Sequence, residues 1–233
     1  MKKYYTRVCN FYFGITSENL IRKKKSLPLN GNSKISFDHI EILTRNGSKL
    51  IHISEIKKLP VKIKKEVKHD LKRILKRKKN FSNLNFFKLP NIMGVLNLTP
   101  DSFSDGGRYF NKNMGYDHAI KLYKSGSDII DVGGESTRPF SKEIKLKDEW
   151  GRIKATLTKL KKKKIPTSLD TRKSLIMEKG IKLGVKLIND ISGLKFDDQA
   201  TNVIRKNKLP FVIHHIQGNP STMQKNPKYK NVL

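Results

Sequence analysis

The densest run of chemically useful side chains is Asn97-Leu98-Thr99-Pro100-Asp101-Ser102-Phe103-Ser104-Asp105-Gly106-Gly107, which follows the apolar stretch from Ile92. Two carboxylates, two serines and a threonine are more than one loop cap requires, although Asp and Ser also satisfy loop amides. Asn97 can offer a carbonyl oxygen to a hard cation such as Mg²⁺, which takes oxygen ligands and phosphate oxygens. A second cluster is Asp131-Val132-Gly133-Gly134-Glu135-Ser136-Thr137-Arg138-Pro139. Its paired glycines let backbone approach a ligand closely. Thr137 adds a hydroxyl, and Arg138 a fork suited to phosphate or carboxylate. The alternative is that Asp131 or Glu135 pairs with Arg138 simply to hold the loop. Asp170-Thr171-Arg172 and Asn189-Asp190 form the third and fourth clusters. An Asp and an Asn at neighbouring strand ends make an acceptor and donor pair able to read the edge of a flat heterocycle. Each also suits a helix N-cap or a loop anchor. The fifth cluster starts at His214-His215. Adjacent strand residues point to opposite faces, which argues against a two-His metal site and places one imidazole behind the sheet.

Each cluster begins where an apolar strand stops. Strands start near residues 92, 128, 166, 186 and 210. Between them lie helical patterns: Asn111–Ser125, a helix through Trp150, Ile153, Leu157 and Leu160, Lys173–Leu183 with Gly184 as terminator, and Asp197–Arg205. Lys161–Lys164 puts positive charge at the favourable end of the second of these. Repeated strand, loop and helix predicts a parallel α/β architecture. Polar residues at successive strand ends favour a (β/α)₈ TIM barrel. A doubly wound sheet would also bind ligands there, but the first strand lacks G-x-G-x-x-G. Upstream, residues 1–56 read as short strands and turns, with turn signals at Leu29–Asn32 and Asn46-Gly47. Lys57–Lys79 reads as a helix on the spacing of Ile63, Val67, Leu71 and Ile74. The expected division is an α+β N-terminal extension over 1–90 and, over 91–233, an incomplete barrel domain of the first five strand–helix units only.

The chain has 233 residues, 50 Lys+Arg against 20 Asp+Glu, and a formal net charge of +30. Such a balance raises the question of a nucleic-acid partner. Yet the excess is +17 over residues 1–90 and +13 over the rest, so no single element concentrates it. No zinc-finger spacing, heptad repeat or single-stranded RNA module is present. Nucleic acid is therefore not the expected partner. One cysteine, Cys9, excludes an internal disulfide and a multi-cysteine metal site. No segment has the roughly 18 apolar residues of a membrane span, and the basic N-terminus lacks a signal-peptide core. Cytoplasm is the expected compartment.

The segments NIMGVLNLTPDSFSDGG, DIIDVGGESTRP, SLDTRK, LINDISG and HHIQGNPSTMQ, in this order and spacing, strongly resemble the dihydropteroate synthases of folate biosynthesis. Residues 91 to about 226 carry the resemblance, and residues 1–56 more faintly resemble a bacterial N-terminal extension. The resemblance implies a TIM-barrel transferase that joins 4-aminobenzoate to the pyrophosphate ester of 6-hydroxymethyl-7,8-dihydropterin. It implies Mg²⁺-assisted departure of pyrophosphate, then attack of the arylamine on a pterin cation. By the same resemblance Asn97 contacts Mg²⁺ and pyrophosphate, and Asp101 lies on a mobile loop that closes the site. Thr137 and Arg138 lie in a second loop near the phosphate end. Asp170 and Asn189 hydrogen-bond the pterin ring.

The sequence departs from the family pattern at three places. Phe140 stands where Gly is common, and His214 where Met is usual beside the pterin. The chain ends at Leu233, without segments resembling the family's Asp-Pro-Gly, Ser-Arg-Lys and Arg-x-His strands. The expectation is a fragment, one part of a split enzyme, or a decayed product, with little or no synthase activity alone. A homodimer if full length, as full-length relatives commonly form, or a complementing C-terminal fragment is the macromolecular partner this implies.

Overall fold

The computed structural model describes residues 3–80, 84–85, 90–99, 114–136, 141–218, 222 and 226–229. They fall into one unit running to Lys79, to which Tyr229 also belongs, and a second over Asn80–Lys228.

In the first unit the long strand β3 (Asn32–Thr44) is the centre of an antiparallel sheet. β1 (Tyr5–Phe13) pairs along one side of it, and β2 (Leu27–Leu29) and β4 (Gly47–His52) share the other. The tight turn at Asn30-Gly31 has φ of +51° and +68°, the two positive values that a two-residue primed hairpin needs. At the second hairpin Thr44 pairs with Gly47, so the two-residue loop is Arg45-Asn46, and Gly47 (φ +141°) opens the next strand. Helix α1 (Gly14–Arg22) was not foreseen from the sequence. Its one buried residue is Ser17, whose hydroxyl donates to the Ser33 carbonyl at 2.7 Å. A helix seated by a serine leaves no apolar stripe to read. The helix expected over Lys57–Lys79 divides into a short 3₁₀ segment, Ile53–Lys58, and α2, Val61–Leu75. Pro60 is the cause, because the residue before a proline is driven to extended backbone, and Leu59 has φ −64° and ψ +147°. Val67 and Leu71 of α2 join Phe37, Ile40, Ile42 and Ile51 in the core of this unit.

In the second unit five strands pair in parallel and in chain order: β5 (Met93–Asn97), β6 (Ile129–Gly133), β7 (Thr167–Asp170), β8 (Leu187–Asp190) and β9 (Phe211–Ile213). They are joined through α3 (Met114–Lys124), α4 (Leu146–Lys162), α5 (Ser174–Lys182) and α6 (Ala200–Asn207). A doubly wound sheet reverses strand order at a switch point, and this one does not. Right-handed crossovers in an unreversed order put every helix on the same face. That is an incomplete (β/α)₈ barrel, preceded by the antiparallel extension. The helix-facing residues Leu96, Ile130, Val132, Leu169 and Ile188 are all at most 1% exposed and pack with Ile153, Leu157, Leu160, Ile176 and Met177. Gly184 (φ +89°) follows α5 at the expected stop. Gly180, inside α5, has no room for a side chain, since a Cβ would lie 2.4 Å from Leu169 Cδ2.

Candidate active site

The parallel register sets Asn97, Gly133, Asp170, Asn189 and Val212 in one row across the five strands. Residues two apart on a strand share a face, so Asp131 and Ser168 stand one step below this row. This face is opposite the helices, on the side that a closed barrel encloses. Gly133 leaves a gap in the row: a Cβ there would lie 3.3 Å from Asp170 Oδ2 and 3.5 Å from Asn97 Oδ1. Two oxygen donors therefore flank an opening at the carboxyl end of the sheet. Exposed Asn97 keeps a carboxamide oxygen there, a ligand suited to Mg²⁺, which retains waters and takes phosphate oxygens as its other partners. Among the described residues no group of three His, Cys, Asp or Glu side chains is placed to hold a metal unaided.

Carboxylates crowd this face. Burial pushes the Asp170 carboxyl up to about 8, and the negative charges of Asp131, Glu149, Asp190 and Glu135 push in the same direction. Asp170 is therefore mostly protonated at neutral pH in the ligand-free protein. Burial also raises Asp131, against the opposing effects of Ser168, Asn189 and His214. Asn189 Nδ2 donates to Asp131 Oδ2 at 2.8 Å, while its Oδ1 lies 2.7 Å from His214 Nε2. Asp131 Oδ1 and Ser168 Oγ are buried, and neither completes a hydrogen bond of good geometry. Unsatisfied polar atoms of this kind gather where a ligand or water is to be met.

Behind the row lies a second ionic cluster. Lys173 Nζ contacts Glu135 Oε1 at 3.1 Å, Glu149 Oε2 at 2.8 Å and the Ile144 carbonyl at 2.7 Å. Arg172 reaches both oxygens of Glu135, at 3.0 and 3.3 Å, and its guanidinium stacks 3.9 Å from the Phe196 ring centroid. Thr171 Oγ1 donates to Glu149 Oε1 at 2.5 Å. Burial alone would raise the Glu135 carboxyl, but Arg172, the Ile144 amide and Lys173 outweigh it and hold it low. Glu135 thus ties the loop after β6 to residues following β7.

Gly134 serves packing: a Cβ would meet Ile153 Cγ2 at 2.8 Å and the Glu149 carbonyl at 2.9 Å. Of the paired glycines, Gly133 borders the opening and Gly134 admits helix α4. Gly134→Ala should destabilise the unit by about 1–3 kcal/mol, as overpacking does. Chemical denaturation would show it, and an unchanged midpoint would refute the close approach.

The structure brings Asn97, Asp170 and Asn189 together as the sequence suggested. Asp101, Thr137 and Arg138 lie outside the described residues. Asp190 points away from the row and is a loop anchor, accepting from Ser192 N, Ser192 Oγ and Leu194 N. Neither His214 nor His215 packs behind the sheet, since both are exposed; β9 ends at Ile213, and the strand alternation stops before them. The importance of Asp131 was missed, although strand alternation from Gly133 would have placed it on the inner face. Lys173 and Glu149 carry no local signal, because their pairing spans 24 residues.

The profile of the family described as pterin binding enzyme matches residues 93–233. The dihydropteroate synthase of Neisseria meningitidis serogroup B is 44% identical over 146 residues, covering 62% of this chain and 51% of that protein. The dihydropteroate synthase of Clostridium difficile, solved in the presence of pteroic acid, superposes with a TM-score of 0.53 at 40% identity, over 60% of this chain and 52% of that one. The Xanthomonas albilineans enzyme, solved with 4-aminobenzoic acid, gives a TM-score of 0.54 at 32% identity, over 60% and 50%. The chain spans about half the length of the curated relatives it matches. On its sheet order, its row of strand-end residues and this match, the chain belongs to the pterin binding enzyme family.

Proposed function

We propose that residues 91–233 carry the pterin-recognising part of a dihydropteroate synthase, which joins (7,8-dihydropterin-6-yl)methyl diphosphate to 4-aminobenzoate and releases diphosphate. The observation that supports this best is the pairing of Asp170 and Asn189 in one row of the inner face. Their side chains offer adjacent donors and acceptors to the edge of an aminopyrimidine ring. As the carbon–oxygen bond to diphosphate ionises, positive charge grows on the pterin. An ionised Asp170, with Asp131 behind Asn189, offsets that charge before the arylamine nitrogen attacks. A Mg²⁺ ion held through Asn97 would neutralise charge on the departing diphosphate. Asp101 would help close the site over 4-aminobenzoate, and Thr137 and Arg138 would meet the diphosphate end. Cytoplasmic folate synthesis is the setting this chemistry implies; no helix among the described residues is long and apolar enough to cross a membrane.

Inner-face residues stand open to solvent, Val95 at 56% and Val212 at 36%. Water admitted to an ionising centre competes with the arylamine. The 233-residue chain by itself should therefore bind pterin weakly and turn over little. A polypeptide carrying the remaining strand–helix units of a relative, or a second chain, would be needed to cover this face. The test is diphosphate release from the pterin ester and 4-aminobenzoate, with pterin binding measured in parallel. Pterin binding by the chain, with turnover appearing on addition of such a polypeptide, is the expected result. No pterin binding in either condition would overturn the reading. Full turnover by the chain alone would overturn the need for a partner. Steeply salt-dependent binding to nucleic acid without pterin binding would favour the basic-protein reading instead.

A further inference from the structure

Asn189 is already engaged on both ends of its carboxamide. Asp131 Oδ2 accepts from Nδ2 at 2.8 Å, and His214 Nε2 lies 2.7 Å from Oδ1. A carboxamide oxygen only accepts, so the imidazole must donate through Nε2–H. Protonating its other nitrogen would leave that donor in place. Three side chains from β6, β8 and the segment after β9 thus form a directed chain, imidazole to carboxamide to carboxylate. With both contacts made, Asn189 has one N–H and one lone pair left, and their sense is fixed.

The backbone of residue 214 is braced as well. Gly193, at φ +62°, passes so close that a Cβ there would lie 2.5 Å from the His214 carbonyl oxygen. The turn carrying Gly193 is itself held by the Asp190 carboxylate through Ser192 and Leu194. A thioether at position 214 could not donate to the carboxamide, so a methionine there would leave one end of Asn189 unheld.

We propose that His214 is a positioning residue: it sets the orientation of the Asn189 carboxamide, and with it the sense in which the site reads the donor–acceptor edge of a pterin-like heterocycle. The second half of this statement rests on the pterin reading above; the first does not. A heterocycle whose edge carries the opposite donor and acceptor order meets like groups at Asn189 and is rejected, because the polar groups that the ring desolvates are left unpaired.

The experiment has two arms on the full 233-residue chain. In the first, nitrogen-15 shifts of the His214 ring are read without ligand. The Nε2–H tautomer is expected, relaxing toward a mixture in Asn189→Ala, whereas an Nδ1–H tautomer would overturn the proposal. In the second, binding of pteroic acid is compared with that of its 4-amino-2-oxo isomer. His214→Met should reduce the preference for pteroic acid about tenfold, the worth of one lost directional contact. His214→Gln, which keeps a donor near the Nε2 position, should stay within about threefold of the parent. An unchanged preference in His214→Met overturns the specificity role. Absence of pteroic acid binding in the parent, with the Nε2–H tautomer intact, overturns the pterin reading and supports the orientation of Asn189 by His214.

Discussion

Replacing Lys173 with methionine is expected to cost the Asn80–Lys228 unit about 3–5 kcal/mol, the usual result of removing one partner from a buried ionic group. The ammonium has three protons and three acceptors, in Glu135, Glu149 and the Ile144 carbonyl. The Lys173 and Glu135 side chains are each 5% exposed, and that of Glu149 is fully buried. Methionine fills much of the same volume, so the loss reports charge and hydrogen bonding more than packing. The two carboxylates are not equally affected. Glu135 keeps Arg172 and the Ile144 amide, whereas Glu149 keeps only the Thr171 hydroxyl among the contacts described. Neutralising Glu149 should therefore rescue the variant more than neutralising Glu135. Urea denaturation of Lys173→Met, Glu149→Gln and the double variant would measure the coupling. A cost below about 1 kcal/mol for Lys173→Met, typical of exposed pairs, would show that the cluster is not closed to water.

The reach of the sequence follows from how far apart the interacting residues lie. Strand ends are local events, so Asn97, Asp170 and Asn189 could be placed from the apolar runs that precede them. Sheet order was half legible: alternation gave parallel strands, but the barrel required the unreversed pairing of β5 through β9. The glycine pair after Asp131 illustrates the limit. Gly133 and Gly134 are neighbours in sequence, yet one faces Asp170 and the other α4, and only tertiary packing separates their roles. Lys173 is one of 50 Lys and Arg residues in the chain, and nothing in its sequence neighbours marks it for burial. Its burial depends on two carboxylates contributed by distant segments. The Pro60 break in the first unit was legible, and the strength of the Ile63 to Ile74 periodicity obscured it. The serine-seated α1 had no comparable signal.

Asp170→Asn should change stability and ligand binding in opposite directions. In the ligand-free protein the Asp170 carboxyl titrates near 8, against an ordinary value of 3.8. Below pH 4 both native and unfolded chains hold the proton. Between about 4 and 8 the native chain keeps a proton that the unfolded chain has lost, so stability falls as pH rises, by roughly 1.4 kcal/mol per unit. Above 8 both forms are ionised and this contribution is flat. Asparagine carries no titrating proton, so the stability difference between variant and parent should widen from pH 4 to pH 8 in favour of the variant, reaching on the order of 4 kcal/mol near neutrality. Comparing the two proteins cancels the other titrating groups. Binding runs the other way. If the carboxylate is the form that offsets positive charge on the pterin, pteroic acid should bind the parent about tenfold more tightly per pH unit up to about 8, whereas Asp170→Asn should bind weakly and without that slope. Urea titrations and binding isotherms at pH 5, 6, 7 and 8 test both arms. Parallel stability profiles for the two proteins would mean that Asp170 is ionised throughout, and the crowding of carboxylates on the inner face would then be relieved by solvent. A stabilised variant that also lost pterin affinity would identify the strain at this strand end as the cost of holding an acid where the ring's charge develops.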